Sequence, residues 1–251
     1  MEDKISFVIA CYKSEEWIGS LIDDIRNTVS AKDDYEIICV NDASPDNLKE
    51  VLYGIASNDE KVKVITLNSN VGQHFAVICG VRHTSGSIIV NLDDDGQSDP
   101  KQCYKLIDKV RKGSDLVFAA YSGKKEHGIK RVGSEINKIL FHLLHKTQKW
   151  FEISSYFACT SNTAHMMGNY NALYEAVCSG EFIEKLRISN AEVEHFNRIG
   201  GTSSYNLRKL TRLFLNEMRV TFGIHAQEKK HCEIIDKQNI QEILINGKYY
   251  F

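Results

Sequence analysis

Apolar residues along this chain gather in short runs separated by polar turns. Ile5–Ala10, Tyr35–Val40, Val62–Leu67, Ser87–Leu92 and Asp115–Ala120 are each apolar or β-branched over the length of a buried strand, which predicts five strands. The intervals between them change period. Trp17, Ile18, Leu21, Ile22, Ile25 and Val29 recur at helical spacing behind Ser14, a residue suited to capping, so a helix is predicted over Ser14–Val29. Similar helical segments fill Asp46–Ala56, Gly72–Thr84 and Pro100–Arg111. Strand and helix alternating in this way imply right-handed β-α-β crossovers, hence an α/β fold with a mainly parallel central sheet and helices on both faces. Ligands of such sheets bind beyond the carboxyl ends of the strands, so the residues that follow each strand are where chemistry is expected.

After Tyr121 the rhythm changes. A basic loop (Lys124, Lys125, His127, Lys130, Arg131) leads into a helix ending near His145, then a less regular stretch to Gly168. A helix near Asn171–Cys178, a strand near Arg187–Asn197 and an amphipathic helix from Tyr205 to about Val220 follow, and Glu242–Phe251 reads as a hairpin turning at Asn246-Gly247. No internal repeat or low-complexity linker divides the chain, so residues 1–225 are expected to form one catalytic domain and residues 226–251 a short tail.

Composition narrows the function classes. The 251 residues are 43% hydrophobic and 25% charged, the balance of a globular protein rather than a disordered or fibrous one. Thirty-one Lys and Arg against 33 Asp and Glu leave a formal charge of −2, which supplies no global field for nucleic acid. The seven Cys never form C-x-x-C, and an odd count within apolar runs reads as reduced core thiols of a cytoplasmic protein. The acidic start and the lack of about 18 uninterrupted apolar residues predict neither a signal peptide nor a membrane span.

Three strand ends carry candidate chemistry. The fourth strand runs into Asp93-Asp94-Asp95-Gly96-Gln97-Ser98-Asp99-Pro100. Carboxylates without His or Cys suit Mg²⁺ or Mn²⁺, an ion that is typically held by one or two carboxylates together with phosphate oxygens of a substrate. An acidic run is more often a solvated turn, but this one directly follows a buried-type strand. The second strand ends in Asn41-Asp42-Ala43-Ser44-Pro45-Asp46, where Asn41 and Asp42 are candidates to accept hydrogen bonds from a base or ribose; alone, the segment would read as an ordinary turn. The first ends at Tyr12, a candidate stacking surface for a nucleobase.

In combination these segments resemble a known family. F-V-I-A-C-Y-K-S-E-E-W-I, V-N-D-A-S-P-D-N and N-V-G-Q-H-F-A-V-I-C-G-V-R-H-T-S-G-S-I-I-V-N-L-D-D-D-G-Q-S-D-P resemble, in that order, family 2 glycosyltransferases of the GT-A fold. Asn70-x-Gly72-Gln73, Ala76, Gly80 and Gly86 keep the spacing of the polyprenyl-phosphate branch related to dolichol-phosphate mannose synthase. The late segment around Arg198, Gly201, Ser203 and Tyr205 is similar to its R-x-x-G-x-S-x-Y element. The resemblance implies that Tyr12 and Asp42, with Asn41, Asn70, Gly72 and Gln73, line the nucleotide-sugar side. It also implies that Asp93 and Asp95 form the metal-binding pair, with Asp95 the direct ligand, Asp94 on the donor side and Gln97 beside the metal or donor sugar. Arg131 with Ser134 and Asn137, and Arg198 with Ser203, are implied to meet phosphates of donor and acceptor. The forked guanidinium suits that task.

The chain departs from the family in places. Ala10-Cys11-Tyr12-Lys13-Ser14 stands where Pro-x-Tyr-Asn-Glu is usual, Phe157-Ala158 where the branch has Phe-Arg, and Ser204 where many members carry Lys. The function these features predict is metal-dependent, inverting transfer from a nucleoside diphosphate sugar, UDP or dTDP favoured over GDP, to a polyprenyl phosphate or other lipid-linked acceptor in surface glycan assembly. An ionised phosphate acceptor needs alignment more than a base. Two alternatives stand beside it. One is transfer to a saccharide hydroxyl with a carboxylate base drawn from Asp94, Asp115, Glu135, Glu152, Glu192 or Glu194. The other is a non-catalytic relative that only binds nucleotide sugar. His74 and His195 fall within the matched motifs and are candidates to line the site. The Leu207–Val220 helix either faces the core or touches the inner face of a membrane or a partner.

Overall fold

The computed structural model describes residues 3–122, 152–170, 173–178, 184–194, 240–245 and 248–250. The five predicted strands are β1 Lys4–Cys11, β2 Asp34–Asn41, β3 Val62–Leu67, β4 Ile88–Asn91 and β5 Leu116–Ser122. Among them run helices α1 Ile18–Val29, α2 Leu48–Asn58, α3 Gln73–Arg82 and α4 Cys103–Arg111, the last entered through a 3₁₀ turn at Pro100–Gln102. Further along lie β6 Phe157–Thr160, α5 Ser161–Met167, α6 Leu173–Cys178, β7 Ile188–Glu194, β8 Ile240–Ile245 and β9 Lys248–Tyr250. The described strands form one nine-stranded sheet in the order β7-β5-β6-β4-β1-β2-β3-β8-β9.

Apolar runs without strict alternation bury both faces of the central strands. Ile5, Phe7 and Ile9 of β1, Ile37 and Cys39 of β2, and Ile88 and Val90 of β4 face a core shared with α1, α2 and α4. Residues of opposite parity face the other side. Val8 and Ile89 pack with Val77, Ile78 and Val81 of α3 and with α5 and α6, while Ile38, Val40 and Ile65 meet Ala76 and Cys79. A Cβ on Gly80 would lie 2.5 Å from Val8 Cγ1 and 3.0 Å from Val40 Cγ2, so α3 reaches the sheet only through a glycine. Cys11, Cys39, Cys79, Cys103 and Cys159 are buried free thiols.

Two sequence expectations need correction. Ser14 caps with its carbonyl, which accepts the N–H groups of Trp17 (3.1 Å) and Ile18 (2.9 Å), and α1 begins only at Ile18. The stretch to Gly168, where less regular structure is expected, holds a strand and a helix over residues 157–167. β6 is inserted antiparallel between β4 and β5, and Thr160 caps α5 by accepting the Thr163 N–H. β8 pairs antiparallel with β3 and with β9, extending the central sheet.

The chain steps outward from β1 to β2 and β3, then returns to β4 on the other side of β1. All four strands are parallel, which opens a crevice between the carboxyl ends of β1 and β4. The opposite end of the sheet holds a buried charge. Glu36, with its side chain 2% exposed, accepts hydrogen bonds from Lys63 Nζ (2.7 Å), Lys4 Nζ (3.1 Å), Ser6 Oγ (2.6 Å) and the Ser85 N–H (2.6 Å). Burial alone would raise this carboxyl, but the lysine, hydroxyl and N–H contacts outweigh it and bring it to about 2. A carboxyl lowered by folding stabilises above its unfolded value, about 4.3, and loses that contribution as pH falls through the folded value. Glu36→Gln is therefore expected to lower stability at pH 7 by on the order of 3 kcal/mol and to flatten the stability profile between pH 4.5 and 2. Denaturant titrations across that window read the difference. An unchanged acid slope in the variant would exclude the network as its cause.

Candidate active site

The crevice is built from four strand ends. β1 ends at Cys11 and delivers Tyr12, which is 43% exposed, and Lys13. β2 delivers Asn41 and Asp42, both buried, the loop after β3 delivers Asn70 and Gly72, and β4 delivers Asp93, Asp94 and Asp95. Lys13 (φ 58°) and Ala43 (φ 48°) are the non-glycine residues with left-handed backbone among the described residues. Both sit on this rim, tied together by the Lys13 N–H donating to Ser44 Oγ at 2.8 Å. Backbone strain of this kind persists where surrounding contacts over-determine it, commonly at functional sites.

Asp42 organises the β3–α3 loop. Its Oδ1 accepts the Val71 N–H at 2.7 Å, its Oδ2 the Gly72 N–H at 2.9 Å, and its carbonyl the Asn70 side-chain amide at 3.1 Å. Burial raises its carboxyl and the two N–H groups pull it back. Gly72, at φ 93°, turns the chain into α3 and accepts the N–H groups of Phe75 and Ala76. A left-handed residue at that junction favours glycine. The next residue, Gln73, then reaches the acidic cluster. Asn41 is engaged locally, its amide oxygen accepting the Ser44 N–H at 3.0 Å.

The three aspartates have distinct surroundings. Asp93 is gripped by Gln73 Nε2 on Oδ1 and by Ser155 Oγ on Oδ2. Burial, helped by the neighbouring charges of Asp95 and Asp94, raises its carboxyl to about 7 against the hydrogen bonds from Ser155 and Gln73. Asp94 turns towards β1, its Oδ2 accepting the Tyr12 N–H at 2.9 Å and its carbonyl the Trp17 indole N–H. Burial brings its carboxyl to about 6, although the Tyr12 N–H and the Ser14 hydroxyl favour the anion. Asp95 Oδ1 accepts the Gln97 N–H at 2.9 Å, which closes the turn at Gly96 (φ 76°). Asp99 caps the following 3₁₀ turn by accepting the Lys101 N–H.

These donors fit a hard divalent cation. They are all oxygen, and two of the carboxyls are raised by burial and by mutual repulsion, which a cation would relieve. No group of three or more His, Cys, Asp or Glu side chains poised to hold a metal occurs among the described residues.

The structure therefore brings Tyr12, Asn41, Asp42, Asn70, Gly72, Gln73, Asp93, Asp94, Asp95 and Gln97 to one rim. Arg131, Ser134, Asn137, Arg198, Ser203 and His195 lie outside the described residues. His74 follows Gln73 on α3, and burial lowers its imidazole to about 4, so it is neutral near pH 7. Of the candidate bases, Asp115 precedes β5, at the end of the sheet away from the crevice, and is bound by Arg187 (2.9 Å), which removes it from the site. Ser155 lies in a segment without a motif, and only strand pairing brings it to Asp93.

Comparison with known proteins agrees with this geometry. A curated relative, undecaprenyl-phosphate 4-deoxy-4-formamido-L-arabinose transferase of Yersinia pestis (strain Pestoides F), is 30% identical over 232 residues, 84% of this chain. The protein of the same name from Yersinia pseudotuberculosis serotype O:3 matches equally, and the chain spans 65% of the length of these relatives. Among solved structures, glucosyl-3-phosphoglycerate synthase from Mycobacterium tuberculosis, in complex with Mn²⁺, UDP and phosphoglyceric acid, superposes with a TM-score of 0.63 at 19% identity, covering 88% of this chain and 78% of that one. Mannosyl-3-phosphoglycerate synthase from Rubrobacter xylanophilus superposes at 0.62 and 18% identity, covering 91% and 75%. These likenesses show the GT-A fold. The sequence profile of Glycosyl transferase family 2 matches residues 6–172, two strands and two helices beyond the acidic cluster, and on that match the chain belongs to glycosyltransferase family 2.

Proposed function

We propose that this chain transfers a sugar, with inversion, from a nucleoside diphosphate sugar to a polyprenyl phosphate, with Mg²⁺ or Mn²⁺ at the site. The observation that carries the reading is the convergence of Asp93, Asp94 and Asp95 with Tyr12 and Asp42 at the crevice between β1 and β4. The acceptor class is supported by the curated relatives, whose name specifies undecaprenyl phosphate. A neighbour holding Mn²⁺ and UDP supports the cation and favours a pyrimidine donor, UDP or dTDP over GDP.

In this reading Tyr12 offers a stacking surface to the base, and the loop held by Asp42 lies beneath the nucleoside. Asp95, with Asp93, holds the cation, which when bound offsets the negative charge that develops on the departing diphosphate. The chain's own contribution is alignment. Arg131 with Ser134 and Asn137, and Arg198 with Ser203, are assigned to the phosphates of donor and acceptor. An acceptor phosphate is ionised near neutral pH and attacks the anomeric carbon opposite the diphosphate without surrendering a proton to the protein. Contact with the inner face of a membrane is part of this reading; no helix among the described residues is long and apolar enough to cross one.

The test is nucleoside diphosphate release from UDP-, dTDP- and GDP-sugars with Mn²⁺ or Mg²⁺, in the presence and absence of a short polyprenyl phosphate. Release that requires both metal and lipid phosphate, with UDP- or dTDP-sugar, is the expected outcome. Turnover that ignores the lipid phosphate but responds to a saccharide would transfer the site to hydroxyl acceptors. Donor binding without turnover would mark a non-catalytic relative.

A further inference from the structure

We infer that Ser155 is a positioning residue of the donor-cation site, acting through Asp93; the inference rests on the reading just given. The pairing of β4 with β6 sets Asn91 opposite Phe157 and Val90 opposite Ala158. Continuing that antiparallel register two residues past Asn91 brings Asp93 opposite Ser155. Both strand extensions are then locked by side chains. Ser155 Oγ donates to Asp93 Oδ2, and the Ser155 carbonyl accepts from Asn91 Nδ2 at 2.6 Å. Asn91 is fully buried, and its amide holds the serine backbone through this second contact. The next residue is anchored too, Tyr156 donating its hydroxyl proton to the Asp99 carbonyl at 3.1 Å.

The consequence for Asp93 is orientational. A carboxylate has about four lone-pair directions. Gln73 and Ser155 take one on each oxygen, so the carboxylate is held against rotation and its remaining directions are fixed relative to Asp95 and the crevice. Without Ser155 the carboxylate keeps its charge but can rotate about its last bond, and a cation site built on it loses preorganisation. The weaker pairing of charge with cation is a ground-state effect as much as a transition-state one. It therefore shows in metal affinity more than in turnover at saturating metal.

The experiment compares wild type, Ser155→Ala and Ser155→Thr by Mn²⁺ electron paramagnetic resonance titration in the presence of UDP, alongside turnover as a function of Mn²⁺. Ser155→Ala should weaken Mn²⁺ binding about tenfold, the scale of a lost hydrogen bond to a charged group, and leave kcat at saturating Mn²⁺ within about threefold. Ser155→Thr keeps the hydroxyl and should restore the affinity. Circular dichroism melting of each variant checks folding, and if the alanine variant does not fold, Ser155→Cys, with a weaker donor, takes its place. Wild-type Mn²⁺ affinity in the folded Ala or Cys variant overturns the assignment of Ser155 alone. Absence of Mn²⁺ binding by the wild type with UDP overturns the reading of the site, and this inference falls with it.

Discussion

Asp95→Asn is expected to lower metal-dependent nucleoside diphosphate release by at least about a hundredfold while leaving the fold intact. Removing a group that stabilises developing charge typically has effects of about a hundredfold to a thousandfold, and a bound cation supplies several kcal/mol of such stabilisation. The neighbours cannot take over. Asp93 is held in its own orientation by Gln73 and Ser155 and cannot swing into the place of Asp95, and Asp94 is turned towards the Tyr12 N–H. The amide oxygen of Asn can still accept the Gln97 N–H, so the turn at Gly96 survives. The charge of Asp95 also helps to raise the carboxyls of Asp93 and Asp94, so removing it relieves repulsion. The variant should melt at the wild-type temperature or slightly above it, while Mn²⁺ binding in the presence of UDP is lost. Activity within about threefold of wild type would remove Asp95 from the site.

The parts of this arrangement differ in how far they can be read along the chain. Five strands and four helices are legible because each lies within a sequence run of at least six residues or so, helically periodic for the helices and near-continuously apolar for the parallel strands covered on both sides; β4 itself is four residues long, but its run extends over Ser87–Leu92. β6 escapes that logic. Phe157-Ala-Cys-Thr160 is four residues long, too short to establish a period, and it becomes a strand because β4 and β5 each present it with an unpaired edge. The end of the chain is similar, since β8 extends beyond the Asn-Gly hairpin and owes its place to β3.

Within the site, residue type was more legible than role. The aspartates stand out as carboxylates after a buried strand, but that Asp94 fastens the β1 loop and Asp93 faces a serine 62 positions later follows from tertiary pairing. Asn41 reads as a ligand acceptor because of where it lies, and the structure adds that its amide oxygen accepts the Ser44 N–H and shapes that turn. Gly72 and Gln73 were located by resemblance, and the structure supplies the physical reasons, a left-handed turn into α3 and a side-chain amide on Asp93.

Asp42→Asn tests how far the nucleoside side depends on that loop. The carboxylate of Asp42 accepts two backbone N–H groups, one on each oxygen, from successive residues Val71 and Gly72. An asparagine side chain of the same size has one acceptor oxygen, and its amide would point N–H against N–H at the other position. One buried donor is left unsatisfied and the remaining bond loses its charge, which together should destabilise the fold by about 2–4 kcal/mol. The strain is delivered to Gly72, and therefore to Gln73, whose amide holds Asp93. UDP affinity should fall about tenfold or more by calorimetry, and Mn²⁺ affinity should fall with it. If Asp42 met only the base, nucleotide binding would weaken while stability and metal-free folding stayed at wild-type values. A joint loss of melting temperature, UDP binding and Mn²⁺ binding instead assigns Asp42 to the scaffold that couples the two halves of the crevice, because the route from β2 to the aspartates on β4 runs through the two N–H groups it holds.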